Sequence, residues 1–162
     1  MHSQSSSRIL AIDPGTKEMG VAILDDGELL YHDVKMIKKG HSPRVTLDRG
    51  RTIVAMLIAD FHPDILVIEK TFVGRNRNAS LLNVLVDEIQ ALGARNKLKV
   101  LMFAPNVVKK AICGNGWATK AEVAKAVVKR YPELKAYLIR DRKWKERFHA
   151  NMFDAVALGM MV

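Results

Sequence analysis

The chain has 162 residues, 49% of them hydrophobic and 6% aromatic, which suits a single globular domain with a sizeable core. Cys113 is the lone cysteine, so an intramolecular disulfide and a thiolate-bound metal cluster are both excluded. Lysine and arginine number 26 against 17 aspartate and glutamate, a formal charge of +9 that points to a polyanionic partner.

The opening "MHSQSSS", residues 1–7, has neither the basic flank nor the apolar segment of a secretion signal, and no run is long enough to cross a bilayer. A flexible tail, no membrane partner and a cytoplasmic location are the expectations, with one domain from residue 8 to 162. Arg8 to Ile12 is an apolar, β-branched strand that stops at "DPGT", where Pro14 and Gly15 supply turn chemistry. "MGVAIL" and "GELLYHDVKMI" follow as strands of a hairpin around "DDG", with Gly27 able to take positive φ. Val45, Ile53, Val54, Leu57, Ile58 and Phe61 recur at helical spacing, and Pro63 stops that helix. "DILVIE" is a short continuous apolar run, the mark of a strand buried on both faces.

Past the polar loop "GRNRNAS", a helix carries an apolar stripe through Leu82, Leu85, Val86, Ile89 and Leu92. That stripe exceeds what one sheet face needs, which makes it a candidate dimer interface. "KVLMFA" reads as a strand, then a short helix begins at Pro105, turns at "GNG", and a longer helix is capped near Thr119. The last segment, "ERFHANMFDAVALGMMV", is helical, with Phe153, Val156, Ala157 and Met160 on one face. A hairpin of strands followed by alternating helix and strand gives a three-layer α/β domain with a mixed sheet.

The strands from Arg8 and Asp64 each end in a carboxylate, Asp13 and Glu69, and a third acid, Asp154, interrupts the apolar final helix. Any one alone is weak evidence, since a strand-end Asp reads equally as a turn former, although Asp154, amid residues that should pack on the sheet, is awkward as a solvated charge and easy as a metal ligand. Together, near strand ends where open α/β sheets place their reactive crevices, they suit Mg²⁺ or Mn²⁺. On a basic protein such a cluster fits phosphodiester hydrolysis, with carboxylates holding two ions and lysines binding phosphates. Two basic segments support this: "EKTFVGRNRN", with Arg75 and Arg77, and the run from Lys129 to Arg147, interleaved with Tyr131, Tyr137 and Trp144. No nucleophile elbow, Walker loop or dinucleotide fingerprint is present, so no nucleotide cofactor is expected.

The ordered motifs "ILAIDPGTKEMGVAIL", "PDILVIEKTFVGRNRNAS", "NVVKKAICGNGWATKAEV" and "DAVALG" resemble the RuvC family of Holliday junction resolvases. That resemblance implies a ribonuclease H-like fold with a mixed five-stranded sheet flanked by helices. It also implies a homodimer that nicks four-way DNA junctions symmetrically with Mg²⁺ or Mn²⁺, two ions per site, leaving 3′-hydroxyl and 5′-phosphate ends. On the matching positions Asp13, Glu69 and Asp154 are the catalytic acids and metal ligands. Lys109 and Lys120 lie near the scissile phosphate, with Lys110, Arg75 and Arg77 as further DNA contacts, and Phe72 matches an aromatic wedge at the junction.

Two positions depart from the family pattern. Asn151 stands three residues before the last acid, where the family carries Asp or His, and its amide oxygen can ligate an ion without bringing charge; His149 is a candidate substitute ligand. The segment before the final helix is also longer and more basic than in the cellular enzymes, a region in which phage-type relatives vary. A YqgF-like RNA-processing nuclease of the same fold and a catalytically impaired junction-binding module are the alternatives. Loss of cutting on chelation separates the second, and preference for branched DNA over structured RNA the first.

Overall fold

The computed structural model describes residues 7–37, 42–71, 77–144 and 148–162. Strands β1 (Arg8–Asp13), β2 (Glu18–Asp25) and β3 (Glu28–Met36) form an antiparallel meander. The β2–β3 turn takes left-handed geometry at both central residues, Asp26 (φ 50°) and Gly27 (φ 79°), the twist that a two-residue hairpin loop requires. Helix α1 (Pro43–Phe61) starts at Ser42, whose hydroxyl accepts from the Val45 amide, and ends at a left-handed His62 just before Pro63. Strand β4 (Ile65–Glu69) then pairs parallel with β1, and after helix α2 (Arg77–Arg95) strand β5 (Lys99–Phe103) pairs parallel with β4. The sheet order is β3-β2-β1-β4-β5, a mixed five-stranded sheet as expected.

Helices α3 (Pro105–Cys113), α4 (Lys120–Arg130), α5 (Lys135–Trp144) and α6 (Ala150–Gly159) complete the chain, with a 3-10 turn at Pro132–Leu134. Thr119 and Glu122 form a reciprocal capping box that fixes where α4 begins. Helix α2 begins at Arg77, inside the segment that its polarity marks as loop, because Arg and Ala extend a helix outward at little cost. Helix α5 was hidden in the sequence by its charge; Tyr137 and Leu138 supply its anchorage against the core. The final helix starts at Ala150, after a turn at Phe148 and His149, and Glu146, where the sequence reading opens it, lies outside the described residues.

Alternation along the strands divides the core in two. One face of the sheet presents Leu10, Ile12, Val21, Ile23, Leu66 and Ile68 to α1 and α2. The stripe on α2 is consumed there: Leu85, Val86 and Ile89 are buried, and Leu82 and Leu92 pack at the edge. Because α1 lies beside α2, the stripe meets a helix as well as the sheet, while Leu82 and Leu92 stay partly buried and Val84 is exposed. The other face presents Ile9, Ala11, Ala22, Leu24 and Val67 to α3, α4 and α6. Helix α6 is sunk almost all round, with Met152, Phe153 and Ala155 to Gly159 buried, and the expected one-sided stripe is correspondingly wider.

Candidate active site

Parallel register does the first assembly step. Ile12 of β1 pairs with Ile68 of β4, so the next residues, Asp13 and Glu69, end their strands abreast. Both follow the alternation of Ala11 and Val67 and therefore belong to the face covered by α6. Helix α6 comes close there because Gly20, the partner of Asp13 on β2, has no side chain. A Cβ at Gly20 would lie 1.8 Å from the Asn151 carbonyl oxygen. That approach brings Asp154, one turn into α6, into electrostatic reach of both strand-end acids.

Lys120, the first residue of α4, reaches Asp154 with an Nζ–Oδ2 distance of 2.5 Å. Glu69, Lys109, Lys120 and Asp154 line a cleft of about 150 Å³ whose apolar wall includes Val108 and Val123. Asp13 sits beneath, only 9% exposed. Burial pushes its carboxyl well above the usual range, and the charges of Glu69, Asp154 and Glu18 add to the rise against the opposing Lys120. Glu69 is pushed up to about 7, first by burial and then by Asp154, with Lys120 and Lys109 pulling the other way. Burial alone would lower the Lys120 ammonium, but the charge and hydrogen bond of Asp154, helped by Asp13 and Glu69, outweigh it and raise the lysine.

Four carboxylates, Asp13, Glu18, Glu69 and Asp154, face two ammoniums, Lys120 and Lys109, which leaves acid in excess. Hard, oxygen-rich and short of counter-charge, this donor set fits a divalent cation such as Mg²⁺. Among the described residues no three Asp, Glu, His or Cys side chains are already gathered tightly enough to hold an ion, and Lys120 serves as the counter-ion of Asp154.

The remaining predicted residues divide. Lys109 lines the cleft; Lys110 is its neighbour on α3, is exposed, and does not. Asn151 joins the site through its side chain, donating to Glu18 Oε1 at 3.1 Å. His149 is not brought to the acids: its Nδ1 lies 2.7 Å from Asp141 Oδ1 on α5, and its ring packs edge-on against Tyr137 and Phe148. An acid eight residues away and two aromatic rings claim the imidazole. Phe72 and Arg75 lie outside the described residues, and Arg77 opens α2.

Two residues escaped the sequence reading. Glu18 looks like a polar turn residue in "TKEMG", although its i, i+2 relation to Gly20 was the available signal. Trp117 is 92% exposed in the turn before α4, three residues from Lys120, an unusual position for so large an apolar side chain.

A meander continued by two parallel strands, with acids closing the central strand β1 and its neighbour β4, is the ribonuclease H-like architecture, and acids gathered there define its nuclease class. A family model described as crossover junction endodeoxyribonuclease RuvC matches residues 9–143, and the chain belongs to this family. The family's nucleases are metal-dependent. The RuvC of Neorickettsia sennetsu is 31% identical over 159 residues, covering 94% of this chain and 90% of that protein. The Acidiphilium cryptum RuvC is 31% identical over 131 residues, 78% of each chain, while other relatives are matched over 66% of their length. Thermus thermophilus RuvC, solved in complex with a Holliday junction substrate, shares the fold with a TM-score of 0.72 at 19% identity, covering 94% of this chain and 90% of that one. No helix among the described residues is long and apolar enough to cross a membrane.

Proposed function

We infer that the protein is a Holliday junction-resolving endonuclease that hydrolyses phosphodiester bonds at four-way DNA junctions. The observation that carries this reading is the pairing of Asp13 and Glu69 abreast at the ends of parallel strands, opposite Asp154 and Lys120, in a chain of the RuvC family. Asp13, Glu69 and Asp154 would hold Mg²⁺ or Mn²⁺, two ions per site, with Asn151 as a neutral oxygen donor. Bound there, the metal supplies an activated water and stabilises the leaving 3′ oxygen.

The chain's own residues do the rest. Lys120, held at the cleft wall by Asp154, is positioned to donate from its ammonium to a non-bridging oxygen of the scissile phosphate. Lys109 neutralises charge at the same wall, and its pull on Glu69 favours the ionised, ligand-competent carboxylate. Val108 and Val123 keep one side of the cleft apolar, which strengthens each of these interactions. Trp117 offers a base-stacking surface beside the phosphate-binding lysine. Lys110, Arg75, Arg77 and the wedge Phe72 extend the DNA-binding face, and a homodimer places two sites on opposite arms of the junction.

Cleavage of a synthetic four-way junction with a mobile core, against linear duplex and structured RNA, tests the reading. Paired symmetric nicks that need Mg²⁺ or Mn²⁺, vanish with chelator and are lost in Asp13→Asn are expected. Equal cutting of linear duplex, or full activity in Asp13→Asn, would overturn it. Binding should also weaken steeply with salt, because each neutralised phosphate releases counter-ions.

A further inference from the structure

Glu18 and Asn151 are 133 residues apart in the chain, yet their side chains are hydrogen-bonded at 3.1 Å. Glu18 opens β2 and lies two residues before Gly20, the cross-strand partner of Asp13, so it sits diagonally beside Asp13 on the face covered by α6. Asn151 and Asp154 are one turn apart on α6 and share a side of that helix. The contact is built into the backbone: a Cβ at Gly20 would fall 1.8 Å from the Asn151 carbonyl oxygen, so β2 and the first turn of α6 meet main chain to main chain.

An ionised carboxylate only accepts hydrogen bonds. Glu18 therefore fixes which end of the Asn151 amide faces it: the NH₂ group is spent on Glu18, and Oδ1, the one atom of the amide that can ligate a hard cation, is left over. An amide also brings no charge to a divalent ion, whereas Glu18 already contributes negative charge at Asp13. Charge and donor atom, which one aspartate would combine, are divided here between two side chains.

We propose that Glu18 is a positioning residue of the metal centre: it orients Asn151 as an oxygen ligand and supplies the negative charge that the amide lacks, the pair standing in for a fourth acid. This rests on the resolvase reading. The experiment is a double-mutant cycle read by Mn²⁺ binding to the DNA-free protein, by calorimetry and by the electron paramagnetic resonance signal of free Mn²⁺, with thermal melts in chelator as the folding control. Glu18→Gln keeps the shape but loses the charge and the fixed amide orientation, and should weaken Mn²⁺ binding about tenfold. Asn151→Asp introduced into Glu18→Gln moves the charge onto α6 and should restore affinity to within about threefold of the unsubstituted protein.

Unchanged Mn²⁺ affinity in Glu18→Gln, or a double variant no better than Glu18→Gln alone, would overturn the proposal. If that happens while Asp13→Asn still abolishes Mn²⁺ binding, the acidic centre stands and this assignment alone fails. Absence of Mn²⁺ binding by the unsubstituted protein would remove both.

Discussion

The two faces of the sheet are built from different side chains for different purposes. Under α1 and α2 the strands present Leu, Ile, Val and Met, a thick apolar layer with charged pairs such as Arg8–Asp25 and Lys35–Asp33 at its edges. Under α6 the central strands present Ala11, Ala22 and Gly20, and α6 answers with Ala155, Ala157 and Gly159. Large side chains hold helices about 10 Å from a sheet, whereas small ones let the backbones meet. The close packing delivers Asp154 and Asn151 to Asp13 and Glu18. One face is a foundation; the other spends packing volume on bringing charges together.

Glycine substitutions break this comparison most sharply. Gly20→Ala drives a methyl into the Asn151 carbonyl, backbone against backbone, and should destabilise the protein by more than about 3 kcal/mol and lower junction cleavage at least about a hundredfold in the folded fraction. Gly50→Ala on the other face meets only the flexible end of Leu85, 2.6 Å away, and should cost about 1 kcal/mol with cleavage per folded molecule intact. Melting curves paired with single-turnover cleavage check both; equal loss of activity in the two variants would show that the faces are not functionally distinct.

Leu85→Ala removes a fully buried side chain from the foundation and should destabilise by about 3 kcal/mol, again without changing the cleavage rate of the folded protein. A specific activity that falls with stability would place α2 in the catalytic layer.

The face that gathers the acids predicts a pH signature of its own. Folded Glu69 titrates near 7 against about 4.5 when unfolded, so between those values the unfolded chain gives up its proton first. The Glu69 contribution to stability is therefore fully present below about pH 4.5 and is lost as pH rises toward 7, by up to about 3 kcal/mol, with Asp13 acting in the same direction. Melts in chelator, compared with Glu69→Gln, read this difference: the variant should show a flatter profile across that window. A steeper profile in Glu69→Gln would contradict the buried repulsion. Added Mn²⁺ should likewise flatten the curve of the unsubstituted protein.

Thr119→Ala is the mildest case. It removes the cap that sets the start of α4, costing about 1 kcal/mol, and it loosens the placement of Lys120, so cleavage should slow severalfold with junction binding little changed. Parallel melts, binding titrations and single-turnover rates resolve the three effects.

Much of this site was legible before folding. Asp13 and Glu69 betray themselves by ending apolar strands, and Asp154 by interrupting an apolar helix, since an unpaired charge in such company needs a reason. Thr119 announced α4 because a capping box is a local signal. Glu18 did not, because in "TKEMG" it is one polar residue in a polar turn, and its partner lies 133 positions away. His149 misled for the same reason: its distance from Asp154 along the chain is short, but Asp141 and Tyr137 on α5 hold its ring.

By itself the sequence determined the apolar periods that make strands and helices, the caps and turns that bound them, and the carriers of charge, because each depends on neighbours within a few residues. Tertiary structure alone decided which charges meet. The parallel register of β1 with β4 set Asp13 beside Glu69, the missing Cβ of Gly20 let α6 bring Asp154 and Asn151 within reach, and the capped start of α4 laid Lys120 against Asp154. Those juxtapositions are products of strand register and backbone clearance between distant segments, quantities that no local pattern encodes.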